Sequence, residues 1–336
     1  MSCAAIGDDP LQQRCDRQHP QHRIAEHGPQ PRRKEQLTAT LRQNEVRLTD
    51  ALPHPATTTA TDPAAAGVPH RWSASARKLM ISPMRKSKTL ERVRAGEVVR
   101  TCCLGHYIPA YVCHAARAGY DCIWLDLEHR AMTIHQVQAL LAHSHLHDID
   151  ILLRPPTLEK TGLYRYLEEG AAGLLIPHVS TVEKARMLVQ AVKFPPIGDR
   201  GIDNAGLDAD FFQHDADDYV AWANRETFLA VQIETPQGVR NVDAIAAIEG
   251  VDMLFVGPGD LGLRLRQSKE MTFEEAIETV AAACRKHGKA WGCPALQPES
   301  LRLRREQGAQ LLVGSGEFAN WSSALAADIA IFDTVL

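Results

Sequence analysis

The chain's 336 residues are enough for one large domain or two small ones, and its formal net charge is −4. This charge argues against a protein that binds nucleic acid or an anionic membrane through bulk electrostatics. The eight cysteines contain no CxxC pair and no apolar stretch reaches the roughly 18–20 residues of a membrane-spanning helix, so we expect a reducing, cytoplasmic location.

The N-terminal quarter differs in composition from the rest of the chain. Residues 1–79 are rich in Gln, His, Arg, Pro, Thr and Ala, and large apolar side chains are sparse. Such a segment buries too little apolar surface to offset the entropy lost on ordering. We therefore expect a disordered extension at 1–79, with a targeting or partner-binding tail as the alternative, followed by one domain at 80–336.

From Met84 onward, short apolar runs alternate with amphipathic stretches of about 10–15 residues, a pattern typical of repeated βα units. The runs predict eight strands: Val99–Leu104, Cys122–Leu127, Asp150–Arg154, Gly173–Pro177, Phe228–Glu234, Asp252–Val256, Ala290–Pro294 and Leu311–Gly314. Helices are predicted at Ile134–Ala142, Thr157–Glu169, Thr181–Val192, Gln237–Ala247, Thr272–Lys286 and Gln297–Gln307. Eight βα units in about 250 residues are typical of a (β/α)8 TIM barrel, and an open doubly wound sheet is the alternative.

One connection is much longer than the others. The segment from Phe194 to Glu226 exceeds an ordinary helix-to-strand loop, and long irregular segments in compact domains are usually functional or interfacial. Four aromatic side chains in its second half predict a short helix with a buried or intersubunit aromatic face: Phe211, Phe212, Tyr219 and Trp222.

Several predicted strands end in polar or charged side chains. The carboxyl ends of barrel strands meet at one mouth, which is where this fold holds its active site. The candidates are Asp126, His129, Arg154, Gln232, Glu234 and Asp260, with His178 as a weaker candidate for substrate contact or packing.

Glu234 and Asp260 follow adjacent predicted strands and would converge on one point. Two carboxylates with nearby waters make a hard-oxygen site for Mg²⁺ or Mn²⁺, with Co²⁺ as a further candidate. For either carboxylate alone, a helix cap would be the better interpretation, and it is the pair together that favours metal binding. The intervening Gly257, Pro258 and Gly259 predict a tight turn whose backbone N–H groups would bind a carboxylate or phosphate.

The remaining candidates supply a fixed positive charge and a proton carrier. Arg154 would stabilise a developing enolate or, alternatively, pair with Asp126 or another strand-end acid. His129, oriented by Asp126 or a neighbouring carboxylate, would move protons near neutral pH. Glu128 would point elsewhere or support metal-bound water. Gln232 faces the same side of its strand as the metal carboxylate and would bind the substrate or a ligand water.

Six segments occur in an order and spacing that together are highly specific: Asp121–His129, Leu153–Pro155, Gly170–Val179, Phe194–Gly201, Val231–Thr235 and Gly250–Leu261. On these segments, the chain from about Arg94 to Gly316 resembles the HpcH/HpaI family of metal-dependent (class II) 2-keto acid aldolases. The resemblance implies a TIM barrel of the pyruvate/phosphoenolpyruvate type. It also implies a homo-oligomer, from dimer to hexamer, in which neighbours exchange a C-terminal helix.

The resemblance further implies a reaction and a division of roles. Pyruvate would chelate a divalent ion held by Glu234 and Asp260, Arg154 would stabilise the enolate, and His129 with Asp126 would move the aldol proton. The expected reaction is reversible retro-aldol cleavage of a 4-hydroxy-2-oxo acid to pyruvate and an aldehyde. Gln232 and the turn formed by Gly257, Pro258, Gly259 and Asp260 would hold the substrate. Neither nucleic acid nor a membrane is an expected partner.

The chain departs from the family pattern beside one of these residues. Arg130-Ala131 follows His129 where the family usually has Gly-Pro, which leaves the aldehyde partner open. Two alternative functions remain open from the sequence. One is decarboxylation of an oxaloacetate-type acid through the same enolate, and the other is a non-catalytic barrel that binds ligands or serves assembly.

Overall fold

The computed structural model describes residues 84–336, and within them eight parallel strands close into a barrel in sequence order. The expected extension at 1–79 lies outside the described residues, so the domain boundary stays a prediction. The strands are β1 Val99–Leu104, β2 Cys122–Asp126, β3 Asp150–Arg154, β4 Gly173–Ile176, β5 Phe228–Ile233, β6 Met253–Val256, β7 Ala290–Pro294 and β8 Leu311–Gly316. Each predicted strand is present, with ends shifted by at most two residues.

Closure decides between the two architectures that the sequence allowed. β8 pairs with β1 in parallel, with Val99 opposite Leu311, so the sheet has no open edges. The stretch from Gly257 to Gly262 has the G-x-G-x-x-G spacing of dinucleotide-binding sheets. Because the sheet is closed, that spacing does not indicate a doubly wound fold here.

The helices that surround the barrel include several that the sequence did not predict. In chain order they are α1 Lys88–Arg94, α2 Pro109–Ala118, α3 Ile134–Leu146, α4 Lys160–Glu168, α5 Val182–Val192, α6 Ala216–Glu226, α7 Pro236–Arg240, α8 Val242–Ala246, α9 Pro258–Ser268, α10 Phe273–His287, α11 Pro298–Glu306 and α12 Glu317–Phe332. Helices α1, α2 and α9 were missed, and α12 was expected only from the family resemblance, which implies a C-terminal helix. No helix among the described residues is long and apolar enough to cross a membrane.

Alternate strand residues fill the barrel interior. Leu152, Phe228, Met253 and Phe255 belong to one buried cluster, and the outward-facing strand residues pack with the helices in a larger one. The rings of Trp124 and Phe255 meet edge to face at 5.3 Å. Because the interior is filled, ligand access is confined to the ends of the barrel.

The long connection forms a short 3₁₀ turn at Leu207–Ala209 and then α6. Tyr219 and Trp222 on α6 are buried, which confirms part of the aromatic prediction. Phe211 and Phe212 do not belong to the helix, so their placement on its buried face was wrong. Both precede α6 in left-handed backbone and are exposed.

Candidate active site at the barrel mouth

Asp126 and Arg154 are the last residues of neighbouring strands and lie directly opposite each other. Arg154 Nε donates to Asp126 Oδ1 at 2.9 Å, and Arg154 Nη2 lies 2.9 Å from Asp126 Oδ2. Two parallel contacts between a guanidinium and a carboxylate form a strong bidentate pair. The ion pair that the sequence allowed as the alternative role of Arg154 is therefore present.

Glu128 completes the surroundings of this guanidinium. Arg154 Nη1 lies 2.8 Å from Glu128 Oε2, and Arg154 Cζ lies 4.7 Å from the centroid of the Trp124 ring. Burial alone would raise the pKa of Asp126, but the hydrogen bonds and charge of Arg154 outweigh burial and hold that pKa below its ordinary range. The expectation that Glu128 points elsewhere was wrong.

His129 stands at the rim beside this pair, with its side chain 57% exposed. Its backbone N–H donates to Asp126 Oδ1 at 3.4 Å, whereas its ring Nε2 lies 3.6 Å from Glu128 Oε2. Asp126 therefore holds the backbone of the loop. Glu128 is the neighbouring carboxylate that faces the imidazole.

Glu234 directly follows β5 and is buried. Its Oε2 accepts the backbone N–H of His178 at 3.0 Å and lies 3.1 Å from His178 Nδ1. His178 has φ 54°, a left-handed conformation that is uncommon outside glycine and often occurs at functional sites. The sequence left two roles open for His178, packing and substrate contact. The structure shows it in contact with Glu234, the candidate metal carboxylate.

Asp260 lies in the first turn of α9, so the predicted tight turn is the start of a helix. Pro258 occupies the first helical position, where its missing N–H costs nothing. Arg264, one turn later, donates from Nη1 to Asp260 Oδ1 at 2.6 Å and to the Glu234 carbonyl at 3.3 Å. Arg264 was missed, although its spacing of four residues from an acidic side chain is a recognisable helical signal.

The charges at this end of the barrel influence one another. Burial raises the pKa of Glu234; contacts with His178 lower it, and repulsion from Asp260 and Glu128 raises it further. The buried Oε1 of Gln232 has no hydrogen-bond partner among the described residues. A buried carboxylate and a half-exposed one that repel each other, beside an unpartnered amide oxygen, suit a hard divalent cation.

The protein ligands of such a cation would be few. Among residues 84–336, no group of three or more His, Cys, Asp and Glu side chains is arranged to hold a metal ion. Glu234 and Asp260 would thus supply two carboxylates, and water and substrate would complete the coordination. That division is usual for Mg²⁺, which retains several waters.

Gly257 leaves the space that these side chains fill. A Cβ on Gly257 would lie 2.6 Å from Glu234 Cγ and 2.8 Å from Gln232 Nε2, closer than such atoms approach. Gly257→Ala should therefore lower stability by roughly 1–3 kcal/mol, the usual cost of overpacking, and displace both side chains. Gly259→Ala is the matched control for stability, because a Cβ there meets nothing within 4 Å. Thermal melting of both variants tests this, and equal melting temperatures would contradict it.

Glu317 closes the mouth between β8 and β1. It is buried, and its Oε1 accepts the backbone N–H of Gly105 at 2.8 Å and lies 2.8 Å from His106 Nδ1. No role was predicted for Glu317 or His106, since both lie just beyond the predicted strands. The mouth therefore has acidic groups at several strand ends and one buried guanidinium.

Proteins of known type match most of this barrel. A sequence model of the family described as HpcH/HpaI aldolase/citrate lyase matches residues 104–315. The hydroxypyruvate/pyruvate aldolase of Roseovarius nubinhibens is 36% identical over 226 residues, which cover 65% of this chain and 86% of that protein. The 2-keto-3-deoxy-L-rhamnonate aldolase of Salmonella schwarzengrund is 33% identical over 229 residues, which cover 66% of this chain and 84% of that protein.

Solved structures share the architecture. The HpcH/HpaI aldolase from Desulfitobacterium hafniense DCB-2 aligns with a TM-score of 0.68 at 29% identity, covering 74% of this chain and 97% of that one. An HpcH/HpaI aldolase/citrate lyase family protein from Burkholderia cenocepacia J2315 aligns with a TM-score of 0.66 at 30% identity, covering 74% and 99%. The likeness therefore spans nearly the whole of each of these barrels.

Proposed function

This chain belongs to the HpcH/HpaI aldolase/citrate lyase family, and we propose that it is a divalent-metal-dependent aldehyde-lyase. The proposed reaction is reversible cleavage of a 4-hydroxy-2-oxo acid to pyruvate and an aldehyde. The observation that carries the proposal is the placement of the buried Arg154 and the rim residue His129 at the same barrel mouth as Glu234 and Asp260. The aldolase names of the two relatives support it.

The residues suited to hold the metal are Glu234 and Asp260. A bound Mg²⁺, Mn²⁺ or Co²⁺ would supply Lewis-acid polarisation of the keto oxygen. The start of α9 offers the backbone N–H groups of Gly259 and Asp260 to the substrate carboxylate, as helix N-termini do for anions. Gln232 would orient a ligand water, which donates to its unpartnered Oε1, or the 2-oxo acid, which would accept a hydrogen bond from its Nε2.

Arg154 would stabilise the negative charge that develops as the carbon–carbon bond breaks. In cleavage, the C3–C4 bond breaks, its electron pair passes to the enolate, and the C4 hydroxyl becomes an aldehyde carbonyl. A fixed guanidinium needs no reorganisation to face that charge, and its contacts with Asp126 and Glu128 keep it in place. The ring of Trp124 covers one face of the guanidinium, with Arg154 Cζ 4.7 Å from the ring centroid.

His129 would accept the proton that the C4 hydroxyl loses, at Nε2, and return it in the reverse, aldol direction. Its exposed position allows it to exchange that proton with solvent. Glu128 Oε2 lies 3.6 Å from the same nitrogen and would help to hold the ring at the mouth. The enolate then takes a proton from water at C3, and this carbon becomes the methyl group of pyruvate.

Exchange of the pyruvate methyl protons in heavy water tests this function without an aldehyde. We expect exchange with Mg²⁺ or Mn²⁺ and its loss on adding a chelator, measured by proton NMR on the full chain. The test is decisive because enolate formation is common to any aldehyde partner. Absence of exchange with each of Mg²⁺, Mn²⁺ and Co²⁺ would rule out the proposed enolate chemistry and favour a non-catalytic barrel.

We also propose that the enzyme is a cytoplasmic homo-oligomer. α12 begins at the mouth residue Glu317, and its apolar side chains are exposed, among them Phe318, Trp321, Leu325, Ile329 and Phe332. Exposed apolar surface of this extent is typical of a protein interface. Light scattering of the full chain should therefore give a mass of two to six subunits, and a monomer at micromolar concentration would refute this assembly.

A further inference from the structure

Arg130 places an additional positive charge beside His129. It is exposed, and its Nη1 donates to the His129 carbonyl at 2.8 Å. Within residues 84–336, no carboxylate oxygen lies within 4.0 Å of its guanidinium nitrogens. Arg154, in contrast, already holds two carboxylates. Arg130 is therefore a guanidinium at the mouth that retains capacity to bind an anion.

The stem of Arg130 is held against the end of β1. A Cβ added to Gly105 would lie 2.9 Å from Arg130 Cγ and 3.3 Å from both Arg130 Nε and Glu317 Oε1. Glu317 is itself engaged by the Gly105 N–H and by His106. Packing of the stem limits where the guanidinium can reach, which favours a defined binding position over a freely moving surface charge.

The order of residues around the barrel gives the position of Arg130 relative to the substrate. Glu234 and Asp260 follow β5 and β6, Arg154 ends β3, and His129 follows β2. Arg130 lies one step further, against β1. With the 2-oxo acid end near β5 and β6 and the C4 hydroxyl near His129, the substituent on C4 extends toward Arg130.

We propose that Arg130 determines specificity for an aldehyde that carries a carboxylate, an inference that rests on the proposed function. A guanidinium carries a fixed positive charge that pairs with a carboxylate and not with an alkyl chain, and the selectivity follows from that charge. Arg130 contacts the part of the substrate that becomes the aldehyde and takes no part in breaking the bond. The alternative is a structural role, in which its charge only steadies the Glu317 edge of the mouth.

The test compares two aldehydes of equal carbon number, succinic semialdehyde and butanal, as acceptors in aldol addition to pyruvate. Their kcat/KM ratio is measured for the full-length metal-loaded enzyme and for Arg130→Gln, Arg130→Lys and Arg285→Gln. The last variant removes the same charge from α10, where Arg285 is 66% exposed. We expect Arg130→Gln to lower the ratio roughly tenfold, the effect of about one charge-assisted hydrogen bond, through KM for succinic semialdehyde.

The outcomes separate the possibilities. A lowered ratio in Arg130→Gln, substantial recovery in Arg130→Lys and an unchanged ratio in Arg285→Gln would support the specificity role. Equal losses with both aldehydes would indicate the structural role and overturn the inference, as would an unchanged ratio in Arg130→Gln. Pyruvate exchange by the unaltered enzyme is the separate check: exchange without carboxylate selectivity refutes the inference alone, whereas no exchange refutes the proposed function with it.

Discussion

Asp260→Asn should lower the metal-dependent exchange of pyruvate methyl protons by about 1,000-fold or more, the scale of removing one charged partner from a partly buried charged site. The substitution preserves the size of the side chain and its capacity to accept a hydrogen bond from Arg264. It removes one of the two carboxylates proposed to hold the metal. Exchange is measured by NMR with Mn²⁺ at saturating pyruvate.

The thermal stability of Asp260→Asn in the absence of metal should not fall, in contrast to its exchange activity. Repulsion from Asp260 contributes to the raised pKa of Glu234, so neutralising Asp260 relieves an unfavourable interaction in the folded state. We therefore expect the chelated variant to melt no lower than the chelated parent, while the rise in melting temperature on adding Mn²⁺ is lost. A folding defect would instead lower the melting temperature in chelator as well.

Asp243→Asn is the matched control. Asp243 is exposed on α8, where it pairs with Lys286 and His287 away from the mouth. Its substitution should leave both exchange and the Mn²⁺-dependent melting shift within twofold of the parent. Full exchange in Asp260→Asn with an intact melting shift would show that Asp260 is not a metal ligand.

The mouth could be located from sequence because the alternation of side chains along a strand is a local property. Arg154 is the last residue of its predicted strand and Asp126 is the last but one of the neighbouring predicted strand. Parallel pairing of these strands places the two residues opposite each other. The same alternation would have identified Glu128, since Trp124, Asp126 and Glu128 lie two residues apart and all meet Arg154. The prediction that Glu128 points elsewhere did not take this two-residue alternation into account.

Other features depend on contacts that no local pattern specifies. His178 reaches Glu234 only because its backbone turns left-handed after β4, an energetically disfavoured state that the surrounding structure must impose. Glu317 lies more than two hundred residues after Gly105 in the chain, and the two residues meet only because β8 closes the barrel against β1. Helix α9 was missed because its glycines and first proline suggest a turn, although Pro258 fits the first helical position.

Arg154→Lys should lower kcat for aldol cleavage by about 100-fold or more, although it preserves the positive charge. The guanidinium of Arg154 contacts Asp126 twice and Glu128 once, each at 2.8–2.9 Å. A single ammonium group on a flexible stem cannot reproduce that planar arrangement, so the charge facing the enolate would be displaced. Arg165→Lys, at an exposed position on α4, is the matched control and should retain the parental kcat.

The same variant should lose roughly 2–4 kcal/mol of stability at neutral pH, because charge-assisted hydrogen bonds to largely buried carboxylates are lost. The native pKa of Asp126 lies below its ordinary value of 3.8, so its stabilising contribution is fully present above that value and is lost as the pH falls toward the native pKa. The stability difference between parent and variant should therefore be constant from pH 5 to 7 and should shrink below about pH 4, near the ordinary Asp pKa. Urea unfolding across this range measures it. If the stability difference persisted undiminished at pH 3, Arg154 would stabilise the fold mainly by packing against Trp124. Its catalytic role would then depend on a large cation at the end of β3, and not on a guanidinium held in place by Asp126 and Glu128.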